Sequence, residues 1–420
     1  EVRAYINAGL DLLKGQPTSR ELIAFLTYQA FWYIRQLDNV TGERKTELVE
    51  QAITSGHEAL RRAEELGNAL TLSLVLDAMG FVYEKHHRYR EALELQQRRQ
   101  SLEALLTDRE ELHDLYLSLG RTYYDVGDYA AALMWFGRAW NTAQTMESPT
   151  MQLNSLVWRV RTWNQWNRWD EAIQVAQEVL QFIEKYQRDE KQQFRALETL
   201  ATIAYQRGDL EMGEQYSRQC KRLLDQHLET TPPEHQELTS TRMYTIHLAQ
   251  EDWEKATNDY SVRLRCSEPF PAPDLLAALA ELSLQTPATD ETRETLCERA
   301  ITTSRLSGAR KQVAQALRAR GRMHLQRGRW DEAEADLRLA LQEYTGLDLP
   351  LEQGNTRYWL GMLYKRRAGG LDANDSSRNS DLERARHHFE QSLGFYESLG
   401  ARPAVLRVQK ELRQETSIGT

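Results

Sequence analysis

Histidine, cysteine and carboxylate side chains bind metals and act as acids, bases and nucleophiles, so their spacing is the first thing to read. The histidines include two adjacent pairs, His86-His87 and His387-His388. Neighbours on a helix point to different sides, so neither pair forms an i,i+4 ligand set, and both read as surface polar residues. The three cysteines, Cys220, Cys266 and Cys297, lack Cys-x-x-Cys spacing. An odd count of this kind fits a reducing, cytoplasmic setting better than a disulfide framework. Cys220 stands at an apolar packing position and reads as a buried small hydrophobe. Carboxylates are plentiful but fall on helix positions that read as solvent-facing. No phosphate-cradling, dinucleotide, zinc-protease or nucleophile-elbow motif occurs. No metal, cofactor or catalytic set emerges. What remains is arginine, a permanently charged planar fork that recognises carboxylate or phosphate in a bidentate manner.

The elements that would position such residues follow from composition and period. The 420 residues suit two to four domains or one repeat array. Ten prolines and 22 glycines are below the roughly 21 and 29 of an average chain, which argues against strand-and-turn-rich folds. Lys+Arg is 53 against 62 Asp+Glu, a net charge of −9 with a pI near 5.7. That balance argues against a general nucleic-acid binder. Ten tryptophans exclude a disordered chain. The apolar run Leu22 to Ile34 is 13 residues, short of the roughly 20 a membrane span needs. No signal-peptide pattern opens the chain. It begins at Glu1 rather than Met, as a fragment or processed protein would, leaving room for a catalytic domain outside this stretch.

A repeat dominates the sequence. One unit reads Leu119-Gly120-x-x-Tyr123, Gly127-Asp128-Tyr129, Ala132, Phe136 and Ala139. Others read Met79-Gly80-x-x-Tyr83 with Tyr89 and Ala92, Gly321 with Gly328, Trp330 and Ala333, and Leu360-Gly361-x-x-Tyr364 with Ala385 and Phe389. A small residue recurs at Ala52, Ala92, Ala132, Ala172, Gly213, Ala256, Ala333 and Ala385, at gaps of 40, 40, 40, 41, 43, 77 and 52. The long gap holds a degenerate unit around Leu275–Ser307. Apolar residues at three and four mark two amphipathic helices per unit. The small residues let the two helices approach. Gly127-Asp128 and Gly208-Asp209 supply a helix stop and the next cap, and Leu66-Gly67, Ser307-Gly308, Thr345-Gly346 and Leu399-Gly400 supply further stops. One hairpin cannot bury its apolar face alone, so neighbours must stack.

This pattern resembles the tetratricopeptide repeat (TPR) over nearly the whole chain. Its units run to about 40 residues instead of the family's 34. Long units of this kind look like the helical superhelix regions of large bacterial signalling proteins, beside NTPase, cyclase, protease or DNA-binding domains. The resemblance implies an all-α, right-handed superhelical solenoid of about nine hairpins and roughly 18–20 helices. Residues 1–16 read as an N-terminal cap and 17–400 as the array, with units starting near 19, 69, 109, 150, 191, 234, 273, 309 and 351. Residues 366–380 read as a flexible insertion, and 401–420 as a closing helix and tail. Of the tryptophans Trp158, Trp163, Trp166 and Trp169, which together could stack on a base or sugar, Trp163 and Trp169 fall on core positions, and Trp166, before the turn, is less fixed, with contact to a partner its minor reading.

The resemblance also implies where a ligand sits, because the family's first helices line a concave face. The cationic side chains this selects are Arg35, Lys85, Arg121, Arg161, Arg195, Arg318, Arg322, Lys365 and Arg366, against Asp77, Glu84, Asp114, Asp125 and Glu198. The face is thus positive on a negative chain. Arg121, Arg161 and Arg195, from consecutive units, are joined by Tyr124, Asn154, Asn164, Tyr205 and Gln206, and Arg318 and Arg322 lie one turn apart. Arg98, Arg99 and Arg138 read as outward. The leading function is a non-enzymatic scaffold that binds an acidic or phosphorylated protein or peptide segment. A sensor region for a small anionic ligand is the alternative, and nucleic-acid binding a second one, helped by the arginines and opposed by the pI.

Overall fold

The computed structural model describes residues 2–37, 40, 42–186, 189–372 and 376–416. Among them the chain is all-α, with twenty-one α-helices and no strand. Helix starts are set by side-chain caps where the sequence offers them. Ser19, Asn68, Asp108, Asp128, Asp189 and Asp209 each accept a hydrogen bond from a backbone N–H two or three residues on, which satisfies one of the donors a helix start leaves open. The stops at Gly127 and Gly208 are left-handed, with φ of +91° and +76°. The stop read at Thr345-Gly346 moves: the helix runs through Gly346, and Asp348 takes the left-handed conformation at φ +51°.

Contacts divide the chain into two compact units. The first comprises residues 1–158, 265–272 and 306–309. It holds α1 (Val2–Leu13), α2 (Arg20–Arg35), α3 (Glu43–Leu66), α4 (Ala69–Lys85), α5 (Tyr89–Gln100), α6 (Arg109–Val126), α7 (Tyr129–Thr145) and the start of α8 (Pro149–Gln165). Helices α2 and α3, α4 and α5, and α6 and α7 pack as hairpins. Their core is built from Ile23, Leu60, Leu76, Met79, Leu115, Leu119 and Trp135.

The second unit comprises residues 159–264, 273–305 and 310–420. It continues with α9 (Trp169–Tyr186), α10 (Glu190–Arg207), α11 (Leu210–Thr230), α12 (Pro233–Ser240), α13 (Tyr244–Ala249), α14 (Trp253–Ser267), α15 (Pro273–Leu282) and α16 (Asp290–Ser307). Then come α17 (Arg310–Gln326), α18 (Trp330–Gly346), α19 (Pro350–Gly369), α20 (Ser376–Leu399) and α21 (Arg402–Thr416). This unit closes on itself. Arg168 pairs with Asp348, the Lys311 ammonium donates to Gln165 Oε1 at 2.7 Å, and α10 packs on α21. The helix count exceeds the expected 18–20 because the first helix of the sixth hairpin is broken. A 3-10 turn, Thr241–Met243, separates α12 from α13.

Close approach inside each hairpin rests on missing side chains. A Cβ added at Gly120 would lie 2.4 Å from the Phe136 ring, at Gly361 2.7 Å from the Phe389 ring, and at Gly321 2.9 Å from Leu337. The matching small residues of the second helices, Ala92, Ala132, Ala333 and Ala385, have no exposed surface. Residues 366–380 depart from the flexible insertion expected of them. Residues 366–369 continue α19 and 376–380 open α20, while 373–375 lie outside the described residues. The ends are pinned because Arg367 makes two bonds of 2.7 Å to the Asp381 carboxylate.

The packing makes a paired prediction. Gly120→Ala overpacks the α6–α7 contact and should destabilise by about 1–3 kcal/mol. Gly137→Ala, in mid-helix with nothing within 4 Å, should stabilise by roughly 0.5–1 kcal/mol. Chemical denaturation of both variants measures this. A neutral Gly120→Ala would mean that the two helices do not touch there.

Candidate functional site

The position seven residues after the small residue of the second helix is sealed by the same close approach in most hairpins. It holds Ala59, Ala139, Val179, Cys220, Ala340 and Ser392, all with no exposed surface. In two hairpins it holds arginine: Arg99, fully buried, and Arg263, partly exposed. A buried guanidinium is costly unless it is paired and hydrogen-bonded, and the two arginines are treated differently.

Arg99 is fully neutralised within the first unit. It is completely buried, and its fork reaches Asp77 at 2.6 Å, Glu111 at 2.7 Å and Asp114 at 3.0 Å, with Nε on the Ser73 hydroxyl at 3.0 Å. The outward reading of this residue is therefore corrected: three carboxylates drawn from α4 and α6 hold it inside. Its neighbour Arg98 is outside, paired with Glu64. Arg138 lies flat on the Tyr116 ring at 4.1 Å and pairs with Glu103.

Arg263 has no ion pair among the described residues of the second unit, although Glu198 and Asp274 attract it from further off. Its guanidinium stacks 4.5 Å from the centre of the Tyr244 ring, one Nη donates a long bond of 3.4 Å to Thr241 Oγ1, and the buried Nε has no partner. Arg161 of α8, Lys191 and Arg195 of α10, and Arg242 of the 3-10 turn join it around a cavity of about 560 Å³. Five cations line this cavity against two carboxylates, Glu190 and Glu198. Arg195 donates to Gln192 at 3.1 Å. Burial and the adjacent Arg161 pull its pKa down, and burial and Arg263 do the same to Arg242. Glu198 accepts from the Thr245 hydroxyl, and burial holds its pKa above the usual range despite three nearby arginines.

A second cavity of about 500 Å³ lies elsewhere in the same unit and shares no lining residue with the first. Arg318 and Arg322 of α17, Glu281 of α15, Glu352 and Trp359 of α19 and Arg407 of α21 are on its walls.

The ten residues singled out from sequence thus fall in different places. Arg121, Tyr124 and Asn154 lie in the first unit. Arg121 pairs with Glu84 and lies 5.9 Å from the Trp158 ring, and Tyr124 meets Tyr129 and Trp158 edge-on. Arg161 and Arg195 line the larger cavity; Tyr205, Gln206, Arg318 and Arg322 line the smaller one. The Tyr205 hydroxyl is already used, donating to Glu214 at 2.9 Å and accepting from Gln250 at 2.8 Å. Asn164 sits on α8, half-buried, and lines neither cavity. The positive balance read for the face loses force, because Arg121, Arg318 and Lys365 pair with Glu84, Glu281 and Glu411. The last two carboxylates were outside the selected positions.

Arg242, Arg263 and Tyr244 were missed. The signal was present: Tyr244 stands twelve residues before Ala256, where Gly80, Gly120 and Gly321 precede Ala92, Ala132 and Ala333. The 3-10 turn then rotates Arg242 off the register of an unbroken helix.

The carboxylate reading also needs correction, since Glu111, Asp336 and Asp381 are buried partners of arginines and Asp259 is a buried partner of the His247 ring. The histidine pairs are not simply surface residues either. His86 packs edge-on against Phe270 at 4.0 Å and His388 stacks on Tyr364. Burial pulls both pKa values down to about 4. Trp166 stacks on Trp163 at 5.7 Å, and the Arg168 guanidinium lies 5.0 Å from the centre of the Trp166 ring. No cluster of three metal-ligating side chains exists among the described residues, and none of their helices is long and apolar enough to cross a membrane.

Comparison with known proteins agrees with the repeat. The family model described as Tetratricopeptide repeat matches residues 114–146 and 313–345, one segment in each unit. Both segments are tetratricopeptide repeats. No curated protein matches the sequence. Among solved structures, the chain is similar to a Rap protein complexed with competence and sporulation factor, at 11% identity and a TM-score of 0.43, covering 95% of this chain and 98% of that one. It is similar to the Rap conjugation gene regulator of plasmid pLS20 in complex with the Phr* peptide, at 13% identity and a TM-score of 0.42, covering 90% and 97%. The apo quorum sensor NprR from B. thuringiensis follows at 11% and 0.36, covering 94% and 92%. Likeness at this level says nothing of what this chain binds.

The contrast between the buried Arg99 and its exposed neighbour Arg98 is testable by stability. Arg99→Met strips three carboxylates of their cation and should cost roughly 3–5 kcal/mol. Arg98→Ala, which breaks an exposed pair, should cost no more than about 1 kcal/mol. Equal melting temperatures for the two variants would mean that Arg99 is not the buried member.

Proposed function

We propose that this chain is a non-catalytic binding protein whose second unit receives an anionic segment of a partner protein, acidic or phosphorylated. The segment enters the cavity lined by Arg161, Arg195, Arg242 and Arg263. The observation that carries this reading is the excess of cations at a partly buried site. Arg242 makes no hydrogen bond or ion pair among the described residues, and Arg263 holds a position that is small and uncharged in every other hairpin but that of Arg99. Like charges gathered out of water raise the energy of the empty cavity, and an anion relieves it. The arginine forks suit carboxylate and phosphate groups. His227, Tyr244 and Thr199 on the cavity wall add orienting polar groups. Three free thiols, Cys220, Cys266 and Cys297, suit a cytoplasmic setting.

An array of acidic, phosphorylated and neutral decapeptides, followed by anisotropy with the best binder, tests this. Charge-assisted bonds are worth about 1.5–3 kcal/mol each. Arg195→Ala with Arg242→Ala should therefore weaken capture of acidic or phosphorylated peptides at least tenfold, about 1.4 kcal/mol. The melting temperature should stay nearly unchanged. Arg121→Ala should leave the affinity as it is, since its charge is taken by Glu84. Binding that ignores peptide charge, or survives the double substitution, contradicts the proposal.

A further inference from the structure

The smaller cavity contains a guanidinium that the fold does not neutralise. Arg322 is 8% exposed. It lies 4.2 Å from the centre of the Trp359 ring and makes no hydrogen bond or ion pair with the described residues. Its buried Nε has no partner. One turn earlier, Arg318 is 7% exposed and gives its Nε to Glu281 at 2.7 Å, which leaves its buried Nη1 without a partner.

The neighbouring carboxylates are engaged elsewhere. Glu281 also accepts from Gln315 at 3.1 Å, and Glu352 lies 3.5 Å from the Lys311 ammonium. Arg407 adds a third guanidinium to the wall and stacks 5.1 Å from the Tyr358 ring. Three carboxylates, Glu251, Glu281 and Glu352, line the cavity against three arginines, but none forms an ion pair with Arg322, in a place where water cannot fully replace one. Burial pulls the Arg322 pKa down to about 10, with Glu281 partly offsetting it and Arg318 and Arg407 adding repulsion.

The remaining walls say what kind of anion fits. Trp359, Tyr358, Leu248, Leu282 and Ala278 present apolar surface. A volume of about 500 Å³ is in the range of small-molecule sites. Glu352 Oε2 is buried without a partner, so a second negative charge on the ligand meets repulsion. We propose that the second unit holds a binding site for a small organic monocarboxylate, with its carboxylate on Arg322 and Arg318 and its apolar body against Trp359 and Tyr358. Arginine paired with a flat carboxylate gives the bidentate geometry, and the indole under Arg322 holds the fork in place. This site does not depend on the larger cavity, because the two share no lining residue.

The experiment is titration calorimetry on the whole chain with benzoate, indole-3-acetate and hexanoate, alongside benzamide, inorganic phosphate and a peptide with a free C-terminal carboxylate. At least one of the three acids should bind, quench tryptophan fluorescence, and exceed benzamide at least tenfold in affinity. Arg322→Gln should weaken that acid at least tenfold and should raise the melting temperature of the ligand-free protein by removing an unpaired buried charge. If Arg322→Gln does not fold, Arg322→Lys, which keeps the charge without the fork, should also weaken binding tenfold. Failure of all three acids, parity with benzamide, preference for phosphate or for the peptide terminus, or unchanged affinity in the folded variant would each overturn the proposal. Arg195→Ala should leave acid binding intact, which separates failure here from failure at the larger cavity.

Discussion

Two helices of a hairpin can approach closely only where one of them offers no side chain. Gly120 under Phe136 and Gly361 under Phe389 show how tight that contact is. The contact seals the second helix further on, so the residue at the seventh position after the small one is shut away from water in seven hairpins, that of Arg99 among them, while Arg263 keeps partial exposure. Alanine, valine, cysteine and serine occupy it without difficulty. An arginine there must find its counter-charge inside the protein or take it from outside.

The first unit takes the inside route. Arg99 is enclosed by Asp77, Glu111 and Asp114, three carboxylates from two helices, and the cluster is a structural joint. The second unit does not supply an equivalent set for Arg263, and it places Arg161, Arg195 and Arg242 around the same cavity. The net charge of −9 does not conflict with this. It is a sum dominated by exposed helix faces, whereas recognition depends on the local balance in a cavity with low-dielectric walls. Arg322 is a separate instance of the same imbalance, held by Trp359 instead of by a carboxylate.

The all-helical fold was legible because several kinds of signal agreed. Period, caps and small residues all pointed to helix hairpins, and the Gly127-Asp128 and Gly208-Asp209 steps are the stops and caps they read as. The candidate site was legible only in part. Arg161 and Arg195 stand on an unbroken α8 and a regular α10, where projecting from one register works. Arg242 stands on a 3-10 turn, where it does not. Charge balance was the less readable quantity. Glu281 and Glu411 neutralise Arg318 and Lys365 from helices 37 and 46 residues away in sequence, and no spacing rule within a unit reports such pairs. A long, polar stretch such as 366–380 reads as loose, yet one arginine, Arg367, locks its two ends through Asp381.

Bromide anomalous scattering from crystals of the whole chain would separate neutralised from unneutralised arginines, whatever the natural ligand is. Bromide carries one negative charge and goes where positive charge is uncompensated. Peaks should appear in the cavity of Arg161, Arg195, Arg242 and Arg263 and beside Arg322, with none near Arg99. Bromide confined to exposed arginines such as Arg98, with both cavities empty, would show that the fold already balances these charges and that neither cavity awaits an anion.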